Sequence, residues 1–331
     1  MAAQIPPATD ASFHLMQRRR FIQVVATSLA GLSLGQLQAG PLKPLRWRGY
    51  TLGAEGQFTL YADNRTEASS ILEACFAEIQ RLEKCFSLYD ARSELSRLNR
   101  HGRLDDPSDD WLPLLAAADA AHRLTGGRFD PTIQPLWKLY AEHFAKHPDC
   151  SEGPEAQHIE AARAQTGWQQ VHYDRSRIQF TQPGVQLSLN GIAQGFITDR
   201  VAQLLQAAGY QHALIELGES RALGSHPQGR PWQLGIKDAE DLAQIKEVVA
   251  LNNQALATSG SYGSSFSKDG QFHHLIHPQT GKPVSTWKSI SVLAPTAAEA
   301  DALSTGLSFA TDAQIQAILS QRADLQLFRQ G

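Results

Sequence analysis

The chain has 331 residues and a formal charge of −3, with 30 Lys and Arg against 33 Asp and Glu. That length supports a large core, and the slightly acidic balance argues against a nucleic-acid partner or an anionic membrane surface. Cys75, Cys85 and Cys150 are an odd set without metal-ligand spacing, so no disulfide framework is expected, although one bridge to Cys150 stays open.

In chain order, the first signal is Arg18-Arg19-Arg20-Phe21-Ile22-Gln23. It precedes a short apolar run, 24–32, interrupted by Thr27, Ser28 and Gly31, and Leu37-Gln38-Ala39 then offers a small residue for cleavage. Paired arginines ahead of a weakly hydrophobic run resemble a Tat export signal; an ordinary Sec signal or an uncleaved anchor is the alternative. The run is too short and too broken to span a bilayer comfortably. The expectation is a signal peptide over 1–39, export to the periplasm, and a mature part, 40–331, that does not span the membrane.

Residues 46–62 read as a strand pair punctuated by Gly53 and Gly56. Thr66 to Cys85 carries Ile71, Leu72, Cys75, Phe76, Ile79 and Leu82 at helical spacing. A second helix spans Asp109 to Leu124 and stops at Gly126-Gly127, and a third spans Glu155 to Gln165. Strands are expected at Gln169–Tyr173, Arg177–Thr181 and Val185–Leu189, then a helix from Ile192 to Ala208. Further strands fall at Leu214–Leu217, Trp232–Lys237, Glu247–Leu251, Gln254–Ala257 and Ser289–Leu293. Two helices from Thr296 onward precede a last strand at Leu325–Phe328. Strands mixed with single helices, without regular βαβ spacing, indicate an α+β fold of largely antiparallel sheets flanked by helices. No segment between residues 45 and 331 reads as an interdomain linker.

Thr296 followed by Glu299 forms a capping-box pattern. Asp301 and Thr305 then lie one turn apart on the same helix face. A carboxylate and a hydroxyl so stacked are hard oxygen ligands, better suited to Mg²⁺ than to Zn²⁺, and Mg²⁺ with few protein ligands is usually completed by substrate phosphates. The alternative is an Asp that complements the helix dipole and a surface Thr. Gly191 to Gly195 precedes a helix, where free N–H groups favour a diphosphate; an ordinary glycine-rich helix start fits equally. Tyr89 lies in an irregular segment and can stack on the planar ring of a ligand, or fill the core. His274 suits general acid/base work. With His273 and His277 it could instead form a transition-metal site, though Pro278 rules out a continuous helical His-x-x-x-His pair.

Seven phrases occur in a fixed order. They are Phe86-Ser87-Leu88-Tyr89-Asp90, Ser93-Glu94-Leu95-Ser96-Arg97-Leu98-Asn99, Gly126-Gly127-Arg128-Phe129-Asp130-Pro131-Thr132, Gly191-Ile192-Ala193-Gln194-Gly195-Phe196, Thr258-Ser259-Gly260-Ser261-Tyr262, 274–283 (His274 through Pro283), and the Asp301/Thr305 helix. Together, from about Leu52 to the C-terminal helices, they resemble the ApbE family of Mg²⁺-dependent FAD:protein FMN transferases. The resemblance implies an ApbE-like fold and FAD contacts at Leu52, Tyr89, Arg128, Phe129, Asp130, Gln194, Ser259 and His274. It also implies Mg²⁺ ligation by the Gly191 backbone carbonyl, Asp301 and Thr305, with His274 as the catalytic base.

The chain departs from the family pattern at Ser188 and His277, where Asp is common, and at Gly218-Glu219-Ser220, where the usual turn is Gly-Gly-Asp. The expected activity is transfer of FMN from FAD to a Ser or Thr hydroxyl of a periplasmic or membrane electron-transfer protein, with release of AMP. The alternatives are an FAD pyrophosphatase giving FMN and AMP, or a non-catalytic FAD-binding protein.

Overall fold

The computed structural model describes residues 42–51 and 54–331. The expected leader, with Arg18, Arg19, Arg20 and the Ala39 cleavage point, and the flavin-contact candidate Leu52 lie outside the described residues.

The first half contains β1 (Lys43–Thr51), β2 (Ala54–Ala62), α1 (Arg65–Phe86), α2 (Glu94–His101), β3 (Arg103–Asp105), α3 (Trp111–Leu124), α4 (Gln134–Lys146), α5 (Ala156–Arg163), β4 (Val171–Tyr173) and β5 (Arg177–Phe180). The second contains α6 (Ala193–Ala207), β6 (Ala213–Glu216), β7 (Ser220–Leu223), β8 (Trp232–Lys237), β9 (Ile245–Leu251), β10 (Ala255–Gly260), β11 (Ser289–Ala294), α7 (Ala297–Leu307), α8 (Asp312–Leu319) and β12 (Gln326–Gln330). One seven-stranded sheet has the order β1-β2-β6-β7-β10-β11-β12, antiparallel throughout. A small β3-β5-β4 sheet and the β8–β9 hairpin complete the strands.

Burial follows from how these layers stack. Helix α1 starts where the Asn64 side chain accepts the N–H groups of Thr66 and Glu67. Its Ala68, Leu72, Cys75, Ile79 and Leu82 stripe is buried in the core that α1 shares with α6, α7 and the large sheet. On the sheet's other face, Trp232, Leu234, Ile236, Val249 and Leu251 of the hairpin join Leu214, Leu256 and Leu293 in a second cluster. Strands β6 and β11 are therefore covered on both faces and buried along their whole length.

A third cluster joins Leu136, Tyr140 and Phe144 of α4 to Ile276, with Phe266 and Phe272 packed against it. The Tyr140 hydroxyl donates to the Gly281 carbonyl at 3.0 Å. These contacts anchor the irregular segment, 261–288, that carries His274.

Several features differ from the sequence expectation. Val185, Leu187 and Leu189 are buried as their alternation requires, yet 185–189 is not a strand. Its backbone bonds go elsewhere: Leu187 donates to Asn99 Oδ1 at 2.7 Å and accepts from Asn99 Nδ2 at 2.8 Å, while Ser188 N–H donates to the Pro131 carbonyl. A side-chain amide thus takes the place of a partner strand. Helices α2 and α4 are additions; α2 is short and buries only Leu95 and Leu98, and α4 carries a Pro in its first turn, where no helical N–H is lost. The cysteines are all free, and Cys75 and Cys85 lie on α1 as expected, so Cys150 forms no bridge.

Candidate functional site

The site gathers around the amino-terminal halves of α6 and α7. Thr296 caps α7 by accepting the Glu299 N–H at 3.3 Å, but Glu299 turns away to pair with Arg322 at 2.7 Å, so the capping box is half formed. The remaining α7 donors are met from α6: Asp199 accepts the N–H groups of Ala297 and Ala298, each at 2.9 Å, and pairs with Arg221 at 3.5 Å. The two helices touch at Gly195, where an added Cβ would lie 2.2 Å from the Ala297 carbonyl oxygen.

That crossing brings the expected metal-site residues together. Buried Asp301 accepts the Gly195 N–H at 3.2 Å through Oδ2. One turn along, the Thr305 hydroxyl lies 3.3 Å from Ser259 Oγ, which also bonds Ser304 Oγ at 2.8 Å. Gly191 backs directly onto Thr305: an added Cβ would meet Oγ1 at 2.9 Å. A carboxylate, a hydroxyl and an unscreened glycine backbone thus share one space, a hard oxygen set that fits Mg²⁺.

Sequence reasoning did not place Glu219 near this site. Glu219 sits in the β6–β7 turn after Gly218, whose φ is +102°, and it is buried. It accepts the Thr258 N–H; burial, and then the negative charge of Asp301, push its carboxyl well above the usual range. Gln194, from the first turn of α6, points its Nε2 at the same turn, 2.9 Å from where a Gly218 Cβ would be. That nitrogen is buried without a hydrogen-bond partner, in a residue only 8% exposed. The available signal was an acid placed directly after a glycine in a tight hairpin.

His274 is half-buried, and its Nδ1 lies 2.9 Å from the Ser264 carbonyl. A carbonyl only accepts, so Nδ1 carries the proton and Nε2 is the basic nitrogen. Gly263 permits this packing: an added Cβ there would lie 3.1 Å from His274 Cε1. Burial lowers the pKa of His273, and burial with nearby Arg128 lowers that of His277. Among the described residues no group of three His, Cys, Asp or Glu side chains could hold a metal ion, and the His273 and His274 ring centroids lie 6.5 Å apart.

The remaining candidates fall into two groups. Tyr89 is 64% exposed, against the core alternative. The surrounding phrase holds its loop: Ser87 Oγ accepts the Tyr89 N–H, and Ser93 and Ser96 hydroxyls both donate to the Ser87 carbonyl. Phe129 is buried beside Gly191 and Gly306, and Arg128 donates to the Thr125 carbonyl at 2.7 Å. Asp130 turns inward, accepting from Thr132 N, Thr132 Oγ1 and Trp168 N at 2.9, 2.6 and 3.2 Å.

The ApbE family model matches residues 52–328. The FAD:protein FMN transferase of Haemophilus influenzae is 33% identical over 300 residues, covering 86% of this chain and 85% of that protein. The flavin transferase ApbE from Vibrio cholerae superposes with a TM-score of 0.75 at 25% identity, over 88% of this chain and 98% of that one. The ApbE protein from Thermotoga maritima gives 0.76 at 27% identity, over 87% and 94%. The chain belongs to the ApbE family.

Proposed function

We propose that this member of the ApbE family transfers the FMN part of FAD to a Ser or Thr hydroxyl of a partner protein, releasing AMP. The observation that carries the proposal is the meeting of Gly191, Asp301 and Thr305 beside Ser259 at the α6–α7 crossing. The acceptor oxygen forms a bond to the FMN phosphorus, the P–O bond to AMP breaks, and the hydroxyl proton passes to His274 Nε2. Bound at Gly191, Asp301 and Thr305, Mg²⁺ would supply neutralisation of diphosphate charge.

The chain's own groups supply the positioning. Asp301 is held in orientation by the Gly195 N–H, and Thr305 by Ser259. Gln194 Nε2 offers its unmatched N–H to an oxygen of the nucleotide. The exposed Tyr89 ring offers a stacking surface to the flavin or adenine. The Arg18-Arg19-Arg20 leader supports Tat export and a periplasmic acceptor of the electron-transfer type. Among the described residues no helix is long and apolar enough to cross a membrane.

The test is to incubate the purified protein with FAD, Mg²⁺ and an acceptor carrying a Ser or Thr flavinylation phrase. An acceptor heavier by one FMN supports transfer. Free FMN and AMP without adduct would make the chain a pyrophosphatase, and intact FAD would leave it a binding protein.

A further inference from the structure

The Glu219 carboxylate is not explained by its one backbone hydrogen bond. A glutamine at this position would accept the Thr258 N–H equally well without the cost of burying a charge. Geometry brings it to the cation-site residues: Gln194, whose side chain aims at Gly218 beside Glu219, precedes the Gly195 whose N–H binds Asp301, and Thr258, near the Glu219 carboxyl, precedes the Ser259 that bonds Thr305. Without a cation one of two such buried acids keeps its proton; both can be ionised together only with a cation between them. Independently, Gln194 is buried, its Nε2 lacks a partner, and it aims at the same turn. An orphaned buried donor is costly unless a ligand oxygen meets it. The three groups come from separate elements, α6, the β6–β7 turn and α7, so their meeting is a product of the fold rather than of one local motif.

We propose that Glu219 is a second carboxylate of the divalent-cation site, facing Asp301 across the ion, with the Gln194 amide directed at an oxygen of the ion's outer shell. This rests on the function proposed above, in which Asp301, Thr305 and Gly191 hold the ion. The site then offers two charges to a dication instead of one. It also joins the β6–β7 turn to the α6–α7 crossing, so the ion ties three otherwise separate elements.

The test uses Mn²⁺ alone as probe, with the free ion counted by electron paramagnetic resonance, and melting temperature measured with and without metal. Glu219→Gln should weaken Mn²⁺ binding at least tenfold while leaving the metal-free melting temperature equal or higher, because one buried acid then remains instead of two. Glu219→Asp, which keeps the charge on a shorter arm, should bind Mn²⁺ more tightly than Glu219→Gln. Wild-type affinity in Glu219→Gln, or equal affinities in the two variants, overturns the proposal. Asp301→Asn separates the two ideas. If it loses the ion while Glu219→Gln keeps it, the cation site stands and the role of Glu219 falls. If Asp301→Asn binds as wild type does, both fall together.

Discussion

Gly195 and Ala297 approach so closely that any side chain on the former would strike the backbone of the latter, 2.2 Å from its carbonyl oxygen. The neighbour is backbone, held in turn by Asp199, so it cannot rotate away. Gly195→Ala must therefore push α6 and α7 apart, at a cost of about 1–3 kcal/mol or more. Because Asp301 is oriented by the Gly195 N–H, metal affinity should fall along with stability. Denaturant unfolding and Mn²⁺ titration of one preparation check both; an unaltered midpoint would mean that the crossing is looser than described.

Asp301 separates catalytic from structural loss by choice of replacement. Asp301→Ala leaves the buried Gly195 N–H without its acceptor, a cost of about 1–3 kcal/mol. Asp301→Asn keeps an acceptor oxygen and removes the charge. Flavinylation should fall on the order of a hundredfold or more in Asp301→Asn with little change in melting temperature, and EDTA should abolish wild-type activity. Wild-type turnover that ignores EDTA would remove the metal from the mechanism.

Much of this was legible in the residues because local chemistry decided it. The Asp301–Thr305 spacing fixes a shared helix face whatever the rest of the chain does, and Thr296 does cap that helix. What stayed hidden were contacts between distant segments. Asn99 imitates a strand for Leu187, 88 positions away, so an alternating apolar pattern reported burial correctly and pairing wrongly. Asp199 completes the cap of a helix nearly a hundred residues on, the task that Glu299 was expected to share. Glu219 looked like a departure from a pattern, and only the fold brings its turn to Gln194 and so to the α6–α7 crossing.

Tyr89 gives a binding prediction free of stability effects. Its ring is largely in solvent, so Tyr89→Ala should leave unfolding unchanged while weakening FAD binding by about 1 kcal/mol, roughly fivefold. Fluorescence titration with FAD measures this directly. Equal affinities would place the flavin and adenine rings away from this loop.

Export is tested in cells rather than in the folded domain. Replacing Arg18 and Arg19 with Lys should hold the precursor in the cytoplasm, because a Tat leader depends on its arginine pair and a Sec leader needs only basic charge. Fractionation and immunoblotting report the outcome. Unchanged delivery to the periplasm would assign the leader to Sec.

Glu216 supplies a pH prediction whose sign follows from its surroundings. It is buried, and its carboxyl is pushed up to about 7, mainly by burial, despite the hydrogen bond from Gln57 and the charge of Arg48. In the unfolded chain a Glu titrates near its ordinary value of 4.5. Between those two values the folded state keeps a proton that the unfolded state has lost, so rising pH favours unfolding across that window. The contribution is fully present below the lower value and gone above the upper one, roughly 3 kcal/mol at most. Glu216→Gln retains an acceptor for the Gln57 amide and removes the titration. The variant should be more stable than wild type at pH 8 and nearly equal to it at pH 4. Other buried acids shift in the same direction, Glu219 and Asp199 among them, so the informative quantity is the difference between the two proteins at each pH. A difference that stays constant from pH 4 to pH 8 would show that Glu216 is ionised in the folded protein throughout.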